Sequence, residues 1–391
     1  MIPSNRLLLI SNRYPAGPND TASPFVYDFR KALEQRGLEI DIVTPHYQSP
    51  RDDYRYIDDR VHPFQWSDGR KVISQLPLYN PLSLFKMRRY LRNGYKTAAK
   101  LLDKQEYSAI MALWALPSGY IASRLSRQYN IPYAVWALGS DINCWATKPF
   151  VGRLTVSVLK KADILYADGY ELAMKVQALS DKDCRFIPSF HSIEFEKVPY
   201  ESSEKYFLCP GRVEKGKGVF DLLEAFRLFH SSHNDWKLYY VGAGRAENDL
   251  QRKIVSQRLE KSVRCFGYLE RKAFNRLVRL AVAVIIPSHS DSLPLTFGEA
   301  MQLGRPVITS DVGDMPYLVD RYKVGYHFPA GDIGALAERM DWMNRASTDF
   351  AASCPAVVKI LDIRNAAEAV TKWLDTLTLK EKVPDYDYAR A

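Results

Sequence analysis

The sequence predicts two doubly wound α/β domains. Its 391 residues exceed what one hydrophobic core usually organises. Short β-branched or aromatic runs alternate with longer helical patterns from end to end, as in parallel sheets wrapped by helices. Near the middle, residues 194–205 form a polar stretch with Pro199 and two serines, which reads as a linker. The expected units are therefore 1–193 and 206–372, facing each other across a cleft, with 373–391 as a tail.

The strands follow from the apolar runs. In the first half they are expected at 7–10, 40–44, 109–113, 133–137, 164–167 and 185–188. In the second they fall at 206–209, 238–241, 263–266, 282–286 and 307–309. Ligands of such sheets sit beyond the carboxyl ends of the strands, so the residues after each strand are where chemistry is sought.

Composition removes several classes. No uncharged apolar run reaches about 18 residues, and Leu7-Leu8-Leu9-Ile10 is too short for the core of a signal peptide. A cytoplasmic protein is expected. The five cysteines stand singly without a C-x-x-C pair, which argues against a zinc site or a disulfide framework. A net charge of +9 calls for an anionic partner, and nucleotide, phospholipid and nucleic acid all qualify. Nucleic acid is set aside because no basic stripe interleaved with aromatics and no recognition motif occurs.

Two segments of the second half carry charge in the right places. The first is Pro210-Gly211-Arg212-Val213-Glu214-Lys215-Gly216-Lys217-Gly218, a glycine-rich turn between a strand and a helical pattern. Free N–H groups at such a turn, with Arg212 and Lys217 beside them, suit phosphate. Its spelling approaches a nucleotide-binding G-x-x-x-x-G-K loop, but Gly218 replaces the Mg²⁺-binding hydroxyl, which argues against an ATPase. A surface turn with solvated lysines has the same composition. The second segment runs from Pro287-Ser288 through Asp291 to Glu299, with Pro294 opening a short helix over 293–303 that Gly304 and Pro306 close. N–H groups at its start suit a diphosphate, and its carboxylates suit sugar hydroxyls. A capping Asp and a solvated Glu would look alike.

These motifs resemble glycosyltransferase family 4, a group of retaining enzymes with the GT-B fold, and the likeness runs from Leu7 to about Trp373. Gly211-Arg212-Val213 with Lys217-Gly218 is similar to the family segment whose cations hold the donor diphosphate. Val241-Gly242-Ala243-Gly244 resembles its V-G-x-G turn. Val263 to Gly267 resembles the strand before the nucleobase pocket, which makes Tyr268 and Leu269 candidate base contacts. Pro287-Ser288, Asp291 to Glu299 and Gly304-Arg305-Pro306-Val307-Ile308 resemble the P-S, E-x7-E and G-x-P-V-I signature. By that resemblance Glu299 binds the ribose and Asp291 faces the sugar, with Leu293, Leu295 and Thr296 beside the donor. In the first half Trp114 to Gly119 and Gly139-Ser140-Asp141 resemble the W-x-x-P-x-G and H-G-x-D segments of the acceptor-side domain. The chain departs from the pattern at Asp291 (Glu in the family), at Leu138 (commonly His) and at Thr21-Ala22-Ser23 (a glycine pair).

The resemblance implies transfer of a sugar from a nucleotide-diphosphate donor to an acceptor hydroxyl, with retention of configuration and in polysaccharide or glycolipid assembly. No cofactor and no metal are expected: D-x-D spellings fall before a strand at Asp181-Lys182-Asp183 or in the tail. A nucleotide-sugar epimerase and an inactive nucleotide-sugar-binding partner protein are the alternatives. A helix over 82–104 has Leu84, Leu91, Tyr95, Ala98 and Leu102 on one side and Lys86, Arg89, Arg92, Lys96 and Lys100 opposite. Either it packs as an ordinary surface helix or it meets an anionic membrane, which would suit a lipid-linked acceptor and a peripheral place on the inner membrane face.

Overall fold

The computed structural model describes residues 5–15, 23–47, 59–67, 73, 80–193 and 204–382. The chain divides into two compact units, Met1–His191 with Ile363–Ala391, and Ser192–Asp362. Most of the expected linker, 194–203, lies outside the described residues, as do Thr21-Ala22 and 383–391.

The first unit is built on β1 (Arg6–Ser11), β2 (Glu39–Pro45), β3 (Val61–Phe64), β4 (Ala109–Leu113), β5 (Tyr133–Ala137), β6 (Ile164–Ala167) and β7 (Cys184–Phe186). They form one parallel sheet in the order β3-β2-β1-β4-β5-β6-β7. Leu8 of β1 lies between Asp41 of β2 and Ile110 of β4. The central strands are buried on both faces, which is why they read as continuous apolar runs. Alternation then sorts their side chains. Leu8, Ile10, Ile110 and Val135 enter the core under α2 (Pro81–Leu102), α3 (Ser118–Tyr129), α4 (Pro149–Lys161) and α5 (Tyr170–Ser180), while Leu7, Leu9, Met111 and Trp136 enter the opposite core with α1 (Phe25–Glu34).

The second unit repeats the plan with β8 (Tyr206–Pro210), β9 (Lys237–Val241), β10 (Val263–Cys265), β11 (Ala283–Ile286), β12 (Val307–Ser310) and β13 (Gly325–Phe328). Its order is β10-β9-β8-β11-β12-β13, again all parallel. Helices α6 (Val219–His230), α7 (Glu247–Ser256) and α11 (Ile333–Arg345) supply its main core. Completing the unit are α8 (Arg271–Leu280), α9 (Leu295–Gln302), α10 (Met315–Tyr322) and α12 (Cys354–Leu361). In both sheets the order reverses beside the first strand, between β1 and β4 and between β8 and β11. At such a reversal the loops leave in opposite directions and open a crevice past the strand ends.

Several expectations are corrected. The last helix, α13 (Ile363–Lys382), belongs with the first unit, so neither a second unit ending at 372 nor a tail from 373 describes the chain. One sheet face of the first unit has the ten-residue α1 as its cover from the N-terminal half, and Ala366, Val370, Trp373 and Leu374 complete that core. The Tyr166 hydroxyl donates to the Ala369 carbonyl at 3.2 Å. Strands β3 and β13 add to the expected set; both are four-residue edges, one holding Pro63 and the other opening on Gly325. The short helix begins at Leu295 and not at 293, because Pro294 stays extended at ψ 143°. In α2 the buried side is Ser83, Tyr90, Gly94 and Ala98, and Leu84, expected on it, is exposed.

Trp373→Ala tests where the last helix belongs. Loss of this buried ring should lower stability by about 3–5 kcal/mol. The loss should be read in the unfolding of the first unit, followed by fluorescence of its buried Trp136. An unchanged transition for that unit would place the helix elsewhere.

Candidate functional site

At the carboxyl edge of the second sheet the loops are tied to one another through their backbones. The loop after β8 donates from Val213 N to Ala243 O at 3.1 Å, reaching the loop after β9. Gly242 N donates to Gly267 O at 2.8 Å, joining the loop after β10. His289 N donates to Gly216 O at 3.0 Å, and Asp314 N to Ser292 O at 3.1 Å, which ties the loop after β11 to those after β8 and β12. Such proximity dictates residue type. A Cβ on Gly218, whose φ is 66°, would lie 1.9 Å from the Pro287 carbonyl oxygen, and one on Gly242, at φ 129°, 2.0 Å from that of Gly211. No side chain fits either place.

This frame places the predicted charges. Lys217, from the loop after β8, directs Nζ at both carboxylate oxygens of Asp291, from the loop after β11, at 2.6 and 2.7 Å. The two loops flank the point where strand order reverses, so the pair spans the crevice. Glu299, five residues into α9, is buried, and Oε1 accepts from Arg271 Nη1 at 2.7 Å. Arg212 is exposed and pairs with Glu214 at 2.9 Å. The structure thus joins Lys217 to Asp291 but pairs Arg212 and Glu299 with other residues.

The remaining predicted contacts divide by exposure. Tyr268 stands 76% exposed after β10, with Leu269 half-buried beside it. Leu295 and Thr296 open α9, where first-turn N–H groups have no intrahelical acceptor. Gly211 is exposed and Gly242 half-buried. Leu293 and Ser288 are buried. The Ser288 carbonyl accepts from Ser310 Oγ, another tie between neighbouring strand ends.

In the first unit the corresponding reversal is bridged by Asn12, just after β1. Its Nδ2 donates to Leu116 O at 3.1 Å, and its Oδ1 accepts from Ser118 Oγ at 2.7 Å and from the Tyr90 hydroxyl at 3.2 Å. Asp141 is wholly buried and accepts from the N–H of Ala115 at 2.6 Å and of Leu138 at 3.2 Å. It therefore fastens the loop after β4 to that after β5. Burial pushes its carboxyl up to about 6, against the opposing pull of these N–H groups. Gly139 is buried with φ 98°, and Ser140 is exposed.

Sequence reasoning missed Arg271, Asn12 and the His289–Asp221 pair beside the Lys217 loop. None carries a local signal, since Arg271 and Glu299 are 28 residues apart and Asn12 and Ser118 are 106 apart. Among the described residues no group of three or more His, Cys, Asp or Glu side chains is placed to hold a metal ion. No described helix is long and apolar enough to cross a membrane.

Residues 191–349 match the family model of the glycosyl transferases group 1, and residues 19–169 that of glycosyl transferase 4-like domains. TuaC of Bacillus subtilis, named for teichuronic acid biosynthesis, is 24% identical over 349 residues, covering 81% of this chain and 84% of the relative. Among solved structures, sucrose-phosphate synthase from Thermosynechococcus elongatus superposes with a TM-score of 0.73 at 17% identity, over 96% of this chain and 99% of that one. Anabaena HepE in complex with UDP gives 0.70 at 15% identity, over 95% and 100%. The fold is GT-B, and the chain belongs to the glycosyl transferases group 1. It is a glycosyltransferase.

Two expectations test the geometry. Arg271→Ala should cost about 1–3 kcal/mol, because it removes a charged partner from the buried Glu299; a double-mutant cycle with Glu299→Gln should show coupling, and simple additivity would deny the pair any role. Asp141 titrates higher in the folded chain than its ordinary value near 3.9. The folded state then holds its proton more tightly, so the stabilisation is complete below about pH 4 and is lost as pH rises through about 6. Relative to Asp141→Asn, the wild type should lose up to about 3 kcal/mol across that window in urea titrations; a flat difference would contradict it.

Proposed function

We propose that this glycosyltransferase moves a sugar from a nucleotide-diphosphate donor to an acceptor hydroxyl, retaining the anomeric configuration and needing no metal, in assembly of a polysaccharide or glycolipid. The observation that carries the reading is the Lys217–Asp291 pair across the strand-order reversal of the second unit, with the buried Glu299 on the helix that follows. A cation, a carboxylate and a helix N-terminus at such a crevice suit a phosphate-bearing ligand with a hydroxylated substituent. The UDP and UDP-glucose complexes of HepE, and the teichuronic acid biosynthesis in the name of TuaC, support the same donor and product classes.

In this reading the donor exchanges partners with the protein. Lys217 turns from Asp291 to the diphosphate, where Arg212 and the N–H groups of Leu295 and Thr296 join it. Asp291, released, accepts hydrogen bonds from the sugar. The ion pair is part-buried, at 24% and 17% side-chain exposure, so the incoming diphosphate has to replace the counter-charge that Lys217 gives up. Glu299, held by Arg271, takes the ribose hydroxyls, and Tyr268 with Leu269 meets the base. Gly139 and Ser140 belong to the acceptor-side unit, while Asp141 supports their loop from beneath.

Chemistry then needs charge stabilisation at the leaving group. The bond from the anomeric carbon to the diphosphate oxygen breaks, and its electrons remain on that oxygen, which the fixed cations and N–H dipoles stabilise. The acceptor hydroxyl attacks the same face, and its proton passes to the departing phosphate oxygen. Activity is expected to persist in EDTA.

Thermal melting with UDP, GDP and ADP sugars should show one nucleotide raising the midpoint, since a ligand bound to the folded state alone adds about 2.7 kcal/mol at a hundred times its Kd. With that donor, Lys217→Ala or Arg212→Ala should lower kcat by roughly 10² to 10³. Unchanged turnover in both variants refutes the assignment. Conversion of the donor sugar without any acceptor would identify an epimerase instead.

A further inference from the structure

The charge of this chain is not spread evenly. Helices α2, α3 and α4 pack side by side on one face of the first sheet and carry six, two and three Lys or Arg residues, with no Asp or Glu. These eleven cations exceed the net charge of +9 for the whole chain, so the remainder is slightly acidic. Within α2, Lys86, Arg88, Arg89, Arg92, Lys96 and Lys100 form no ion pair among the described residues. Arg88, Arg89, Arg92, Lys96 and Lys100 are exposed. A helix that merely packs on a sheet needs an apolar inner side, but it does not need an outer side of one sign. Lacking i,i+4 acid–base pairs, such a surface repels itself.

Large apolar side chains break the same surface. Leu82, Leu84 and Phe85, in the first turn and a half of α2, are 60%, 53% and 64% exposed, and Phe150 in α4 is 84% exposed. Phe85 continues the exposed row of Arg88, Arg89, Arg92 and Lys96 at helical spacing. Each of the three helices follows one strand of a parallel sheet and returns to the next. They therefore run alongside in one direction, and these apolar side chains gather at one end of the layer. With neighbouring axes about 10 Å apart, the patch spans roughly 20 Å from α2 to α4.

We propose that this face docks on an anionic lipid bilayer, with the cations on headgroups and Leu82, Phe85 and Phe150 entering the interface. Unpaired cations alone would suit any polyanion. The exposed aromatic and aliphatic side chains among them favour a surface that offers hydrocarbon beneath its charge, which a dissolved polyanion lacks. This inference does not rest on the donor or the reaction proposed above.

Flotation of the full-length protein with vesicles tests it. Binding is expected to phosphatidylcholine vesicles containing phosphatidylglycerol at low salt, weakening as salt screens the charge, and not to phosphatidylcholine alone. Each cation near the surface contributes roughly fivefold, so Arg88→Glu with Arg89→Glu should weaken binding at least ~25-fold. Leu82→Ser with Phe85→Ser should weaken it several-fold at unchanged charge. All four side chains are exposed, so melting should match the wild type in both variants. Absence of binding to the anionic vesicles, or binding indifferent to the charge reversal, overturns the proposal. So does full competition by soluble polyglutamate with the serine variant binding like the wild type, which would assign the face to a dissolved polyanion.

Discussion

The site of the second unit depends on one feature of its sheet, the parallel pairing of β8 with β11 at the point where strand order reverses. That pairing sets two loops distant in sequence on either side of one crevice and lets Lys217 meet Asp291 across 74 residues of chain. The loops approach closely enough for His289 N to reach Gly216 O, and for Gly218 to lie against the Pro287 carbonyl. Geometry here is held by backbone hydrogen bonds between the loops.

Three charge pairs at this edge are closed within the unit. Lys217 faces Asp291, Arg271 faces Glu299 and Arg212 faces Glu214. Exposure then separates roles. Arg212 is exposed, so water screens its pair with Glu214, whereas the Lys217–Asp291 pair is part-buried. Glu299 is buried and has Arg271 as a counter-charge. Asp141 lies at the far extreme, wholly enclosed and committed to N–H groups of two loops.

Much of this architecture is legible in the residues themselves. The buried strands show as apolar runs, because parallel strands are covered on both faces. The segment from Gly211 to Gly218 stands out because a strand, a glycine turn and a helix are consecutive in sequence. Edge strands β3 and β13 do not, since a four-residue strand paired on one side needs no apolar run, and Pro63 is tolerated there. Arg271 and Asn12 escape notice for a different reason: their partners, Glu299 and Ser118, are neighbours in space alone.

What the residues determined alone was local: the apolar central strands, the glycine turn from Gly211 to Gly218, and the short helix that carries Glu299. Periodicity and turn chemistry act over a few residues, and a short window suffices to see them. Only the tertiary structure decided that Ile363 to Leu374 complete the first core, that Leu84 is exposed while Tyr90 is buried, and that Lys217 and Asp291 meet. An amphipathic helix specifies which side to bury but not which sheet receives it, and a charge specifies the sign of its partner but not its address. Both are settled when the chain closes on itself.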